Sequence, residues 1–420
     1  MLDIKFIKEN PDLIKEAVRK KHIKFDVDEL LKIEEERIQN LQLVENLRAE
    51  QNKVTEKISG TTDPVVREQL IGDMKQFKDH LKEKEDKLEE IMNKWRLLML
   101  LVPNVPDASV PDGADESANQ EIKRWGDIPI FDFDPKDHME LMTKLDMVDF
   151  ERGTKVHGFR GYFLKGDGVN LCFAIWNYAL QFFSSRGFIP MIPPVIVNKK
   201  LLYGTGHLPG DVEDYYMTQD GDALAGTAEV PLMGYHSNEI LTENELPKKY
   251  LGFSSCFRRE AGSYGKDVKG LIRVHEFFKF EQLILCIANH EESVKLHEEI
   301  NKNTEEFIES MKIPYRTVIN CGADLGLGQV KKYDIELWVP KEGEYREISS
   351  ASYFHDFQTR RLNIRYKVND GKTCYAHSLN STAIPTPRVL VSIIENFQES
   401  DGSIKIPEVL QKYIGKDVIR

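Results

Sequence analysis

Between Asp12 and Val102 the chain contains one proline, Pro64, and two glycines, Gly60 and Gly72. A stretch so free of breakers, and dense in Lys, Glu, Leu and Ile, is helical. Its one break, Ser59-Gly60-Thr61-Thr62-Asp63-Pro64, divides it into two long helices joined by a tight turn, an antiparallel hairpin. In the second helix Leu70, Met74, Phe77, Leu81, Lys84, Leu88, Ile91, Trp95 and Leu98 recur at steps of four and three. That is a coiled-coil seam with one polar member. The first helix follows more loosely through Leu30, Ile33, Leu41, Val44, Val54 and Ile58. At about 1.5 Å per residue, two helices of roughly 30 residues make an arm about 45 Å long. Residues 1–25, broken at Asn10-Pro11, read as a small helical cap at its base.

The predicted domains are residues 1–102, with the hairpin at about 27–100, a Pro/Asp/Gly-rich linker over 103–127, and a second domain over 128–420. In that last part short apolar runs, aromatics and glycines mix with a few helices. Tyr333 to Pro340 alternates like a strand, and Val389 to Phe397 reads as a buried helix. Strands and helices without regular βαβ alternation predict an α+β domain on an antiparallel sheet.

Composition narrows the class. Hydrophobic residues at 41% and charged residues at 30% suit a soluble globular protein. No window approaches 18 consecutive apolar residues, so no membrane span is expected. Met1-Leu2-Asp3-Ile4-Lys5 lacks the apolar core of a signal peptide. Five cysteines, 172, 256, 286, 321 and 374, lie far apart, as free thiols do in a reducing cytoplasm. A net charge of −12 excludes a chain that soaks up polyanions over its whole surface, though not a local basic stripe.

The chemistry concentrates in Cys256-Phe257-Arg258-Arg259-Glu260-Ala261-Gly262, then Gly265, Asp267 and Gly270, then Leu271 to Glu281. This is an apolar strand ending in charges, a glycine-rich loop, and a second charged strand. Such a hairpin holds Arg258, Glu260 and Glu281 on a rigid sheet face. An Arg fork suits phosphate or carboxylate, a carboxylate can accept from an adenine amino group, and a Phe can stack a base. An isolated Arg-x-Glu would most often be an ordinary salt bridge; the full string is far more specific.

That string resembles motif 2 of the class II aminoacyl-tRNA synthetases, in the form typical of seryl-tRNA synthetases. Gly187-Phe188-Ile189-Pro190 to Pro193-Pro194 resembles motif 1, the family's dimer-interface helix and strand. Arg388 at the head of an apolar helix resembles the motif 3 arginine. Thr227-Ala228-Glu229 matches the family's serine loop, and Glu347-Ile348-Ser349-Ser350 its acidic metal-and-ATP strand, followed by Asp356-Phe357-Gln358-Thr359-Arg360-Arg361. The resemblance runs from Met1 to about Ile414, and the class I HIGH and KMSKS signatures are absent.

The resemblance implies a class II catalytic domain, an antiparallel sheet flanked by helices, carrying an N-terminal coiled-coil arm that holds serine tRNA. It implies a homodimer, with ATP, Mg²⁺, L-serine and tRNA(Ser) as cofactors and partners, selenocysteine tRNA as a further candidate, and no membrane. Catalysis falls to Arg258, Arg388 and Glu347, and ATP binding to Arg258, Arg259, Glu260, Val274, Phe277, Glu347, Ile348, Ser349, Ser350 and Arg388. Arg258 would hold the α-phosphate and the serine carboxylate, Glu260 the adenine amino group, Phe277 and Arg388 the two faces of the ring. Glu347 and Ser350 would ligate Mg²⁺. Thr227, Ala228, Glu229, Arg258, Glu281 and Thr382 would bind serine, with Thr227 and Glu229 on the ammonium and Glu281 and Thr382 on the hydroxyl. His207 and His275 read as structural hydrogen-bonding residues. Lys53, Lys57, Arg67 and Lys75, near the arm tip, are candidate phosphate contacts.

Three positions depart from the family pattern. Glu276 stands where Gln is usual, and is expected to face a basic neighbour or the adenine side. Motif 3 reads Asn380-Ser381-Thr382-Ala383-Ile384-Pro385-Thr386-Pro387-Arg388, where the family commonly has glycines after the Asn and before the Arg; Thr386 is expected as N-cap and Pro387 as the first helical residue. Ala351-Ser352-Tyr353-Phe354-His355 replaces a Cys-Ser-Asn-Cys-like stretch. Two other classes stay open at this stage: a catalytically silent homologue that binds RNA through the arm, and an amino acid:carrier-protein ligase, whose members lack the arm.

Overall fold

The computed structural model describes residues 1–210, 212–261, 269–368 and 371–420. Gly262, Gly265 and Asp267 of the glycine-rich loop lie outside the described residues. The chain forms two compact units, Leu2–Arg19 with Ile23–Pro103, and Asn104–Arg420 with Met1 and Lys20–His22.

The first unit is built from α1 (Ile4–Glu9), α2 (Pro11–Lys20), α3 (Val27–Gly60) and α4 (Pro64–Leu101). Aspartates start the two long helices. Asp26 accepts from the Asp28 and Glu29 amides and Asp63 from the Val65 and Val66 amides, while Pro64 takes a first-turn position where its missing N–H is no loss. The predicted α4 seam is the sheltered face: Met74, Leu81 and Ile91 are buried, and Leu70, Phe77, Lys84, Leu88, Trp95 and Leu98 half-buried. The α3 row contains Arg37 and Leu47, which the apolar reading left out. Arg37 pairs through two hydrogen bonds with buried Glu34 and places its guanidinium 4.9 Å from the Trp95 ring centre. A charged residue on the inner row is why the apolar period in α3 looked loose. Glu29–Lys94 and Arg48–Glu85, each at 2.8 Å, tie the two helices along their length.

The second unit is organised by an eight-stranded sheet: β1 (Gln120–Trp125), β2 (Ile189–Met191), β3 (Lys248–Phe257), β4 (Glu276–Cys286), β5 (Tyr315–Ile319), β6 (Lys331–Val339), β7 (Glu344–Tyr353) and β8 (His377–Pro385). Their spatial order is β1-β5-β6-β7-β8-β4-β3-β2. Every neighbouring pair is antiparallel except β2 with β3. Helices α5 (Gly166–Ser184), α7 (His290–Ser310) and α8 (Thr386–Asn396) share the sheet's core, with Phe183, Phe307, Tyr315, Leu337 and Ile393 fully buried. A shorter helix, α6 (Glu229–Tyr235), follows the Thr227-Ala228 loop.

Strand β1 lies inside the stretch read as linker. It is an edge strand whose side chains are exposed or half-buried, held by backbone pairing with β5, so hydropathy did not reveal it. Tyr353, in the stretch that departs from the family pattern, is fully buried and donates to Asp107 at 2.9 Å. The five cysteines are unpaired, four of them buried. No helix among the described residues is long and apolar enough to cross a membrane.

Candidate active site

Strand alternation builds one wall of a polar cleft. On β4, Phe277, Lys279 and Glu281 fall on one face, and Glu276 and Phe278 on the other. Phe277 and Lys279 line the cleft with Arg258, Glu260, Arg273, Val274, Glu347, Ile348, Thr382 and Arg388. Glu276 instead lines a separate apolar groove with Trp176, Phe173, His157 and Arg160, so its carboxylate does not face the cleft's arginines.

Arg258 leaves the end of β3 with its guanidinium carbon 5.5 Å from the Phe277 ring centre and its Nε donating to the Gly226 carbonyl at 3.3 Å. His275 fixes the adjoining backbone through Nδ1 at 2.9 Å from the Arg258 carbonyl. Glu260 sits at φ +54°, left-handed backbone that a non-glycine residue adopts at a cost of about 1 kcal/mol, and its carboxylate pairs with Arg273 at 3.0 Å. Arg388, in the first turn of α8, donates to the carbonyls of Ile272 and Glu347, and its NH1 lies 3.7 Å from the Glu347 carboxylate. Burial lowers its pKa, Glu347 opposes the shift, and Arg258 and Arg273 add to it. Three guanidiniums close enough to repel one another make a site for a polyanion.

Two expected members of the nucleotide set behave differently. Arg259 does not line the cleft, and its backbone N–H donates to the Asp214 carbonyl. Ser349 is buried and donates to the Thr382 carbonyl, bracing β8. Thr386 is not the N-cap of α8. Pro385 holds that position, and the Thr386 hydroxyl accepts from the Trp176 indole at 2.7 Å, so a tertiary partner replaces the local cap.

A β-bulge orients the acidic strand. Ile335 stands opposite Ser349 while Glu336 stands opposite Glu347, so Ile348 is an extra residue in β7. On a regular strand residues three apart face opposite sides; the insertion brings Glu347 and Ser350 onto one face. The Glu347 side chain is half exposed, and a single carboxylate with a hydroxyl suits Mg²⁺, which takes most of its ligands from phosphate and water. Among the described residues no three His, Cys, Asp or Glu side chains gather into a protein-only metal site.

Beside the cleft lies a small polar pit. Thr382 of β8 and Gly252 of β3 stand directly opposite Glu281 in register. Glu281 and Lys279 are both buried and ion-paired. The Thr227 hydroxyl donates to Glu281 at 3.2 Å. Glu229, at the start of α6, accepts from Gln358 at 2.6 Å and lies 3.7 Å from His207. Burial, then the nearby Glu281, push its pKa up to about 7. Ala228 is fully buried in the core behind the loop and serves as the spacer between Thr227 and Glu229.

Three contributors escaped the sequence reading: Lys279, Gly252, and Gln358 as the partner of Glu229. Gly252 had a local signal, a glycine inside a ten-residue strand. A Cβ there would come within 2.8 Å of both Ala228 Cβ and a Leu232 methyl, so glycine lets the Thr227-Ala228-Glu229 loop sit down on the sheet. Gly252→Ala should cost about 1–3 kcal/mol of stability and raise the KM for the small substrate about tenfold. The nucleotide KM should stay unchanged; steady-state kinetics with a thermal melt check this, and equal loss for both substrates would contradict it.

Comparison with known proteins agrees with this architecture. Residues 1–106 match the seryl-tRNA synthetase N-terminal domain, and residues 215–397 the tRNA synthetase class II core domain (G, H, P, S and T). The chain is 44% identical over 416 residues to a serine–tRNA ligase of Deinococcus radiodurans, covering 99% of this chain and 98% of that protein. It is 43% identical over 426 residues to that of Thermodesulfovibrio yellowstonii, covering 100% of each. A solved seryl-tRNA synthetase from Pyrococcus horikoshii, complexed with ATP, matches with a TM-score of 0.90 and 40% identity over 100% of this chain and 99% of that one. With similarity of this order from end to end, and with the cleft and pit assembled as described, the chain belongs to the seryl-tRNA synthetases, class II aminoacyl-tRNA synthetases.

Proposed function

We propose that the protein activates L-serine with ATP and transfers the seryl group to the terminal ribose of tRNA(Ser). The observation that carries this reading is the convergence of Arg258, Arg273 and Arg388 on a cleft that opens beside a pit lined by Glu229, Glu281 and Thr382. Serine's carboxylate attacks the ATP α-phosphorus in line and pyrophosphate leaves. The ribose hydroxyl of the tRNA then attacks the seryl carbonyl and AMP leaves. Neither step requires a side-chain nucleophile. Catalysis is positioning plus neutralisation of spreading negative charge, by Arg258 at the α-phosphate and Arg388 toward the distal phosphates. Mg²⁺ held by Glu347 and Ser350 would supply further neutralisation at the phosphate oxygens. Glu260 would exchange its Arg273 partner for the adenine amino group. Phe277 would stack on the ring.

In the pit, Glu229 would take the serine ammonium and Glu281 the hydroxyl. The Thr227 hydroxyl already accepts from Lys279 and the Glu229 amide and donates to Glu281, so the Thr227 carbonyl is left to meet the ammonium. Alanine would leave the Glu281 acceptor unpaired, a loss of about 1–3 kcal/mol.

Amino-acid-dependent ATP–pyrophosphate exchange without tRNA tests the reading. We expect exchange fastest with serine, slower by about ten- to a hundredfold with alanine, and none above background with threonine or glycine. No exchange with any of them in a folded protein would favour the silent RNA-binding homologue.

Glu229 adds a pH signature. With its pKa raised to about 7, the carboxyl of the free protein is largely neutral below that pH and cannot pair with an ammonium. The kcat/KM for serine should therefore rise about tenfold between pH 6 and pH 7.5 and then level. Glu229→Gln should abolish the rise. For stability the sign is opposite: neutral Glu229 favours the fold at low pH, and that contribution is lost as pH climbs through 7. A flat wild-type profile would remove Glu229 from the ammonium site.

We further propose a cytoplasmic homodimer, joined through the exposed apolar Phe173, Ile189, Ile192 and Phe278 around motif 1. tRNA(Ser) would contact the arm, where Lys53, Lys57, Arg67 and Lys75 are all exposed, and selenocysteine tRNA is a second candidate substrate.

A further inference from the structure

We infer that Lys279 is the positioning residue that sets serine specificity, by locking Glu281 into a single-acceptor geometry. This rests on the assignment of the pit to serine. An ammonium has three protons to give. Lys279 donates to the Thr227 hydroxyl at 2.9 Å and to the Thr382 hydroxyl at 3.2 Å, and forms an ion pair with Glu281 Oε2. Each threonine hydroxyl in turn donates a hydrogen bond to the same Oε2, Thr227 at 3.2 Å and Thr382 at 3.4 Å. The four side chains, from β4, β8 and the loop before α6, thus close a ring with Oε2 as its common acceptor.

Two consequences follow from proton counting. Two of the three Lys279 protons go to the threonines and its charge is matched by buried Glu281, so the amine acts on the substrate through Glu281. Glu281 Oε1, by contrast, has no hydrogen-bond partner among the described residues. The ring fixes the carboxylate and leaves one acceptor lone-pair edge for a donor entering the pit. A hydroxyl on a two-carbon side chain supplies that donor and alanine supplies none. Without Lys279 the buried carboxylate would bind a proton or turn to satisfy the threonines, and the acceptor would be lost.

The test is a double-mutant cycle in ATP–pyrophosphate exchange on the full-length protein, with Lys279→Met, Glu281→Gln and both together, using serine and alanine. Lys279→Met should lower kcat/KM for serine about a hundredfold, mostly through the serine KM, and cut the serine-to-alanine ratio at least tenfold. The ATP KM should stay within twofold. In the Glu281→Gln background the Lys279→Met change should cost less than about threefold more, because the charge it neutralises is gone. That double variant, with neither charge, also keeps the test alive should Lys279→Met alone melt at working temperature. Equal effects in both backgrounds would mean that Lys279 touches substrate directly, and would overturn the inference. So would an unchanged serine-to-alanine ratio in Lys279→Met. If Glu281→Gln itself left that ratio unchanged, the pit assignment would fall, and Lys279 with it.

Discussion

Arg258→Ala should reduce serine-dependent ATP–pyrophosphate exchange at least about a thousandfold while tRNA affinity changes less than twofold. The size follows from position. One preorganised charge at the reacting phosphorus is worth about a hundredfold to a thousandfold, and Arg258 is assigned to both the α-phosphate and the serine carboxylate. It also packs on Phe277, the residue assigned to the adenine ring, so truncation loosens both substrates. The fold should tolerate the change: among the described residues the arginine's one side-chain hydrogen bond to backbone is to Gly226, worth about 1 kcal/mol. Arg258→Lys should recover little, because an ammonium cannot bridge two oxygens in the plane of a fork. The measurement is exchange beside a filter-binding titration with serine tRNA. Exchange that survives in Arg258→Ala would place the reacting phosphorus elsewhere.

Much of this site was legible because its determinants are local in sequence. A strand that carries Phe277 and Glu281 puts them on one face by parity alone, and the same parity turns Glu276 away. The helix break was equally local: the Ser59 to Pro64 stretch announced the turn between α3 and α4. What stayed hidden was set by register between distant segments. Lys279 sits in the same alternating series as its neighbours, but its role depends on Thr227 and Thr382, which reach it only through the folded sheet. The extra residue at Ile348 has no composition signal, yet it decides that Glu347 and Ser350 face the same way. Gly252 could be suspected, though its reason, the Ala228 methyl pressing on β3, is tertiary. Strand β1 failed as a reading for a different cause: an edge strand in water needs no apolar alternation, so its sequence looked like linker.

Deleting residues 35–90 should leave serine activation within about twofold of the intact protein and lower tRNA charging at least about a hundredfold. The cut is drawn where the hairpin can be closed. Glu29 pairs with Lys94 across the helices, and Arg37 lies over Trp95, so Glu34 and Ile91 stand near one level and a short glycine turn can join them. Leu30, Ile33, Ile91 and Met99, buried at the arm's base, all remain. None of the residues lining the arginine cleft lies in the deleted stretch, so exchange has no cause to fall. Charging does. Losing several of the proposed lysine and arginine contacts to phosphates should remove about 3–4 kcal/mol of tRNA binding, which at 1.4 kcal/mol per decade is a factor of about a hundred or more. The same contacts predict that the intact protein's tRNA affinity falls steeply with salt, and that the shortened protein has lost most of that slope. Parallel loss of activation and charging would make the arm a structural element, while charging that survived with its salt dependence would move the tRNA contact to the sheet-bearing unit.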